Sequence, residues 1–397
     1  MTRDQDKPRQ KTLITHAGSD PSRQQGAVNP PVYHASTVLF PSLQALRDAT
    51  ANPHQQMYYG RYGTPTQRAL EAAYSELGGA AGTISVGSGL AAIATVLSAL
   101  ATRGTHLLVA DNVYQPTRSL CDRHLRALGI ETEYFDPLAV EDVAAKIRDS
   151  SCGVFIESPG SLTFELTDIP AIADITRQRG LPLVLDNTWA TSLYLREFEL
   201  GVNISINAAT KYVVGHADAM LGLIACDADW LPHIRQVANL MGQYAAPDDA
   251  YLGLRGLRTM AVRMQQHQLQ AQRLCEWLHD QPEVQQILWP AWPDFPQHAL
   301  WQRDFSGAGG LFSIVMTKLE EPALSVMLDE LRWFGLGYSW GGFESLILPV
   351  NPESCRSETH WDESTTVLRL HAGLEDTNDL ISDLAAAFGR LRRFRQS

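Results

Sequence analysis

Leu183-Val184-Leu185-Asp186-Asn187-Thr188-Trp189, with Thr210-Lys211-Tyr212 following it, is the stretch on which the reading of this chain turns. Three apolar residues ending in an acid read as a short buried strand, and Ile204-Ser205-Ile206-Asn207, just before the lysine, reads as a second apolar run. Working outward, His106–Ala110, Thr132–Phe135 and Val154–Glu157 are further buried strands by pattern, and Gln67–Leu77, Leu90–Ala101 and Ile169–Arg179 are helices between them. Strands alternating with helices predict βαβ units and a mainly parallel sheet. The fold class is therefore α/β. Beyond about residue 226 the helical content rises, with a long candidate at Arg255–His279. Strands at Leu311–Thr317, Leu346–Leu348 and Val367–His371 and a closing helix from Thr377 to Arg393 complete a second, smaller α+β domain. Residues 1–60 are polar and carry Pro8, Pro21, Pro30, Pro31, Pro41 and Pro53, which predicts an extended arm instead of a compact core. The expected organisation is an arm over 1–60, a large α/β domain over 61–255 and a C-terminal α+β domain over 256–397.

Composition narrows the function classes. The chain has 397 residues, 45% hydrophobic and 19% charged, the balance of a protein that buries a large core. Its net charge is −12 with no run of basic residues, so it repels phosphate backbones and no broad nucleic-acid surface is expected. The five cysteines, Cys121, Cys152, Cys226, Cys275 and Cys355, are odd in number and lack C-x-x-C spacing, which suits a reducing compartment. Met1–Gly26 is polar throughout and lacks the apolar run of a secretory signal. Leu90–Leu100 is too short for a bilayer, which needs about 20 apolar residues. The expectation is a cytoplasmic protein without membrane contact. The 12 histidines show no H-E-x-x-H spacing, and no metal site is expected.

Ligands of α/β sheets bind outside the carboxyl ends of the strands, so the chemistry is sought there. A lone strand-end aspartate such as Asp186 more often caps a turn than acts. Its partner changes the weighing: Lys211 lies between an apolar run and Val213-Val214-Gly215-His216, an odd place for a solvated charge. Buried lysines have depressed pKa values and form Schiff bases readily. An acid and a lysine at neighbouring strand ends are what pyridoxal 5′-phosphate requires, the acid to keep the pyridine nitrogen protonated and the lysine to hold the aldehyde carbon. Val86-Gly87-Ser88-Gly89-Leu90, just ahead of a helix, can cradle the phosphate with backbone N–H groups. Alone, such a glycine triplet is usually a plain turn. In this order with Asp186 and Lys211 it is a strong signal. His216 reads as a structural hydrogen-bonder, and Trp289 to Trp301, in a proline-rich stretch, as a packed surface loop.

Ser88-Gly89-Leu90-Ala91-Ala92, Asp186-Asn187-Thr188-Trp189-Ala190, Ala208-Ala209-Thr210-Lys211-Tyr212-Val213-Val214-Gly215-His216 and Tyr338-Ser339-Trp340-Gly341-Gly342 together resemble the cysteine/methionine-metabolism family of pyridoxal-phosphate enzymes. The likeness runs from about His16 to Phe388. It implies fold type I, the aspartate-aminotransferase-like architecture, and a homotetramer of tight dimers with sites shared across the dimer interface. It implies that Lys211 links to the cofactor, Asp186 meets the pyridine nitrogen and Tyr114 stacks on the ring. Gly89 and Leu90 would give backbone N–H groups, and Thr210 its hydroxyl, to the phosphate, with Tyr59 and Arg61 reaching that of the neighbouring subunit. Arg369 would clamp the substrate's α-carboxylate alongside Tyr338, Ser339 and Trp340. Two positions depart from the family pattern: Ala208 replaces a phosphate-binding serine, and Tyr62 stands where many relatives have a second arginine. Tyr-Ser-Trp-Gly-Gly resembles the segment of bacterial cystathionine β-lyases, whereas γ-acting members usually read Ser-Leu-Gly-Gly, commonly with Glu ahead. The expected activity is α,β-elimination of L-cystathionine, with cysteine-S-conjugate cleavage a neighbouring possibility. The alternatives are a cystathionine γ-synthase or γ-lyase of the same family and, from another class, a regulatory protein that binds the cofactor without catalysis. Intact Lys211, Asp186, Tyr114 and Arg369 argue against the last.

Overall fold

Seven short strands build the larger sheet of the computed structural model, which describes residues 8–396. In chain order they are β1 (Gly82–Val86), β2 (His106–Ala110), β3 (Glu131–Phe135), β4 (Ser151–Glu157), β5 (Leu183–Asp186), β6 (Ile204–Asn207) and β7 (Gly222–Cys226). Their order across the sheet is β1-β7-β6-β5-β4-β2-β3, all running one way except β7, which is antiparallel to β1 and β6. β2, β5, β6 and β7 are buried along their whole length, as strands covered on both faces must be. The sequence pattern located β2 and β5 to the residue. It passed over β1 and β7 because Thr83 and Ser85 break the apolar run of one and Gly222 and Ala225 thin out the other.

The helix Gly89–Leu100 follows β1 directly. Ser88 caps it, its hydroxyl accepting the Ala91 N–H at 3.1 Å. A cap of this kind contributes about 1 kcal/mol and fixes where the first turn begins. Gly89 is obligatory there: a Cβ would stand 2.5 Å from the Cβ of Ala208, so the helix start and the segment before Lys211 can approach only through glycine.

The second sheet has five strands in the order β10-β11-β12-β9-β8: β8 (Val284–Leu288), β9 (Leu311–Thr317), β10 (Phe334–Gly335), β11 (Ser345–Val350) and β12 (Thr365–His371). The helices Pro247–His279 and Thr377–Gln396 pack with it. The longer of them is continuous through 255 and 256, so the expected domain boundary falls inside a helix.

Two expectations are corrected. Residues 8–60 are not wholly extended, since they contain the helices Gln10–His16 and Leu43–Ala51, and Ile14 is fully buried with Leu70, Tyr74 and Leu254. The prolines stand outside both helices, which is why counting them misled; residues 1–7 of the expected arm lie outside the described residues. Trp289 is core, not surface loop: it is 2% exposed and its indole N–H donates to the Gly309 carbonyl at 3.0 Å. Among the described residues no helix is long and apolar enough to cross a membrane.

Candidate active site

The carboxyl ends of β2, β4 and β5 and the segment after β6 open into one cavity of about 450 Å³, closed on the other side by the turn Tyr338–Trp340 and by residues 348–356 of the second sheet. Tyr114, Asp186, Ala208, Lys211, Tyr338, Ser339, Trp340 and Arg369 all line it. Six of the sequence's expected site residues, Tyr114, Asp186, Lys211, Ser339, Trp340 and Arg369, thus share one space with a seventh, Tyr338, on its rim. Tyr338 is 91% exposed, so the wall over Lys211 is Trp340.

Burial governs the charges. Asp186 is buried, which pushes its pKa up; hydrogen bonds from Thr188, N–H at 3.0 Å and hydroxyl at 2.5 Å, and the charge of Lys211 oppose that rise. Both Thr188 bonds end on Oδ1. Lys211 is brought down from 10.5 to about 8 by loss of solvent, with Asp186 opposing and Arg369 adding to the fall. Its ammonium lies 5.5 Å from the centre of the Trp340 ring.

Sequence reading missed two acids. Glu157 ends β4 in register with Asp186 at the end of β5, and its carboxylate accepts the Tyr114 N–H at 2.7 Å. Burial first, and then the charge of Asp186, raises its pKa well above the usual range. The available signal was a second acid closing an apolar run. Asp111 is fully buried, ion-paired to Arg118, and accepts from the N–H groups of Ser357, Glu358 and Thr359 and from the hydroxyls of Ser357 and Thr359. It thereby ties the β11–β12 loop, part of which walls the cavity, to the segment that carries Tyr114. No local pattern announces a contact across 246 residues.

The remaining expected residues do not themselves line the cavity. Gly89 and Leu90 lie in the first turn of their helix, where N–H groups have no intrahelical acceptor, and Gly89 abuts Ala208 on the cavity wall. The Thr210 hydroxyl accepts the Leu221 N–H at 2.8 Å. Arg61 donates to the Asn239 carbonyl at 2.9 Å and packs over the Tyr62 ring; neither it nor Tyr59 lines the cavity of its own chain. His216 Nδ1 lies 2.7 Å from the Val214 carbonyl. His106, Glu131 and Glu133 gather at the far edge of the sheet, where Arg148 pairs with both carboxylates.

A buried lysine of depressed pKa, a buried carboxylate with an oxygen to spare and a helix N-terminus beside the same cavity fit the needs of pyridoxal 5′-phosphate: a covalent anchor, a pyridine-nitrogen partner and a phosphate cradle. The comparisons agree. Residues 11–389 match the family described as Cys/Met metabolism PLP-dependent enzyme, and the chain belongs to it. It is therefore a pyridoxal-phosphate enzyme of fold type I. It is 44% identical over 381 residues to a putative cystathionine beta-lyase of Rhizobium johnstonii, covering 95% of each chain. It is 41% identical over 387 residues to the cystathionine beta-lyase MetC of Escherichia coli, covering 96% of this chain and 98% of that one. The crystal structure of metB from Corynebacterium glutamicum superposes with a TM-score of 0.89 at 29% identity, over 98% of this chain and all of the other.

Proposed function

We propose that this protein is a cystathionine β-lyase, converting L-cystathionine and water to L-homocysteine, pyruvate and ammonia in methionine biosynthesis. The observation that carries the reading is the single cavity in which Lys211, Asp186 and Arg369 converge beneath Trp340. The relatives named above support the lyase assignment.

The cofactor, when bound, supplies an electron sink for negative charge at the substrate's Cα. Lys211 would hold it, Asp186 would serve its pyridine nitrogen, Tyr114 would cover its ring, and Gly89, Leu90 and Thr210 would receive its phosphate. Arg369 takes the substrate α-carboxylate in a planar fork, with Ser339 alongside. Loss of solvent brings the Lys211 pKa down to about 8, so it releases a proton more readily than a solvated lysine and can accept the Cα proton and return one to the departing sulfur. Trp340 fills the space above Lys211 that rotation about Cβ–Cγ requires, which favours loss of the β-substituent. Exposed Val28, Leu39, Leu43 and Leu240 favour burial against further copies of the chain, the tetramer expected from the resemblance, in which Tyr59 and Arg61 of a second copy complete the phosphate site. The protein's place is the cytoplasm.

Product analysis tests the reading. Purified enzyme given L-cystathionine should release pyruvate and homocysteine; 2-oxobutyrate as the main keto acid would refute β-elimination, and neither product would refute catalysis.

A further inference from the structure

Arg369 and His371 stand two residues apart on β12, so their side chains leave the strand on one face. Both meet the same turn. The Arg369 guanidinium donates to the Ser339 carbonyl at 3.2 Å, and the Gly341 N–H donates to Nε2 of His371 at 3.1 Å. Trp340 lies between these two anchors. The turn needs holding: Ser339 has φ +78° and Gly341 +84°, and a serine keeps such a backbone only where its surroundings impose it. Gly341 also presses on the lysine segment, for a Cβ there would come within 3.1 Å of the Lys211 backbone.

The proton inventory beneath the turn is consistent. His371 is buried, and burial together with neighbouring His267 keeps it neutral. If Nε2 carried the proton, the Gly341 N–H would point at another N–H, although the Gly342 carbonyl stands 3.2 Å from the same atom. The hydrogen-bond network therefore assigns the proton to Nδ1. His267 donates from its own Nδ1 to the Ala372 carbonyl at 2.8 Å, which leaves its Nε2 a bare acceptor. His371 Nδ1 and His267 Nε2 are both buried and unpartnered among the described residues, and their rings are 5.1 Å apart. The Tyr212 ring packs against both histidines and, at 5.3 Å, against Trp340.

We infer that His371 is a positioning residue that fixes Trp340 over Lys211 and so helps set the choice between β- and γ-elimination. The inference rests on the β-lyase reading above. Arg369 shares its guanidinium between the turn and the substrate carboxylate, so its hold on the turn varies with substrate. His371 is buried and does not line the cavity, so substrate does not compete for its anchor.

The test is hydrogen exchange of residues 338–342 in the holoenzyme, read by mass spectrometry, alongside the ratio of 2-oxobutyrate to pyruvate from cystathionine. His371→Leu should speed exchange of this segment by about 2- to 12-fold, the change that loss of one hydrogen bond allows. It should raise the product ratio by a similar factor. His371→Gln, whose amide oxygen can stand near the place of Nε2, should restore both values. If His371→Leu does not fold, His371→Asn, polar but too short to reach Gly341, is read in its place. Unchanged exchange and unchanged ratio in the variant overturn the inference and leave the β-lyase reading intact. Wild-type enzyme making chiefly 2-oxobutyrate overturns the β-lyase reading, while the exchange result still decides whether His371 holds the turn.

Discussion

Lys211→Met should make the cofactor-free protein more stable while abolishing turnover. The wild-type lysine is carried as an ammonium into a site that strips its solvent, and its pKa falls from 10.5 to about 8. At about 1.36 kcal/mol per pH unit that fall is roughly 3 kcal/mol of instability, trimmed to about 2–3 kcal/mol because the lysine keeps some solvent contact. The sign follows from proton binding. Below pH 8 both folded and unfolded chains hold the proton, and the folded state bears the whole penalty. Between 8 and 10.5 the unfolded chain binds more protons than the folded one, so wild-type stability rises with pH. Above 10.5 both are neutral and the penalty vanishes. Methionine has nearly the same reach and no charge. Urea unfolding of the two cofactor-free proteins in parallel should show a gap at pH 7 that shrinks through 8 to 10.5, and any constant gain from methionine packing drops out of the pH dependence. A gap independent of pH, or a less stable variant at pH 7, would refute the argument that burial sets the lysine's proton affinity.

Three other outcomes follow from the geometry. Arg61→Ala should weaken cofactor retention by about 1.5–3 kcal/mol, as for a lost charge-assisted hydrogen bond. Mixed with Lys211→Ala protein under subunit exchange it should regain activity, and failure despite proven exchange would place Arg61 in its own chain's site. Trp340→Leu combined with Tyr338→Glu should shift keto-acid output toward 2-oxobutyrate within the range of about 1–3 kcal/mol that pocket shape commands, and an unchanged ratio would remove this turn from the control of regiochemistry. Asp111→Ala strands the buried Arg118 and frees the Ser357–Thr359 backbone, so the holoenzyme should lose about 3–5 kcal/mol in denaturant titration; a loss below 1 kcal/mol would show that the loop holds without it.

What could be read from the sequence, and what could not, divides by the range of the physics involved. β2 and β5 are runs of adjacent apolar residues whose burial needs no distant partner to be recognised, and the helix at Gly89 announces itself by a serine cap and small residues. Lys211 and Asp186 were legible because a lysine or an acid in an apolar setting is costly enough to demand a purpose, while Tyr114, Thr210, Tyr59 and Arg61 entered only through the family resemblance. β1 and β7 were not, because their strand character comes from pairing with each other across more than a hundred residues, Thr83 with Ala225 and Ser85 with Leu223. Nor were the residues that hold the site in shape. Asp111 looks like a loop aspartate until Ser357 and Thr359 close on it, and His371 looks like the end of a strand until the Gly341 N–H finds it. Asp111 joins the two sheets, whereas His371 ties β12 to the turn ahead of β11 within the second sheet, and both bear on residues the sequence did disclose, Asp111 on the segment of Tyr114 and His371 on the turn of Trp340. A cofactor site on this fold thus has two layers. The reacting groups carry a chemical signature that survives in one dimension, whereas their positioning depends on contacts between segments far apart in the chain, which exist only once it has folded.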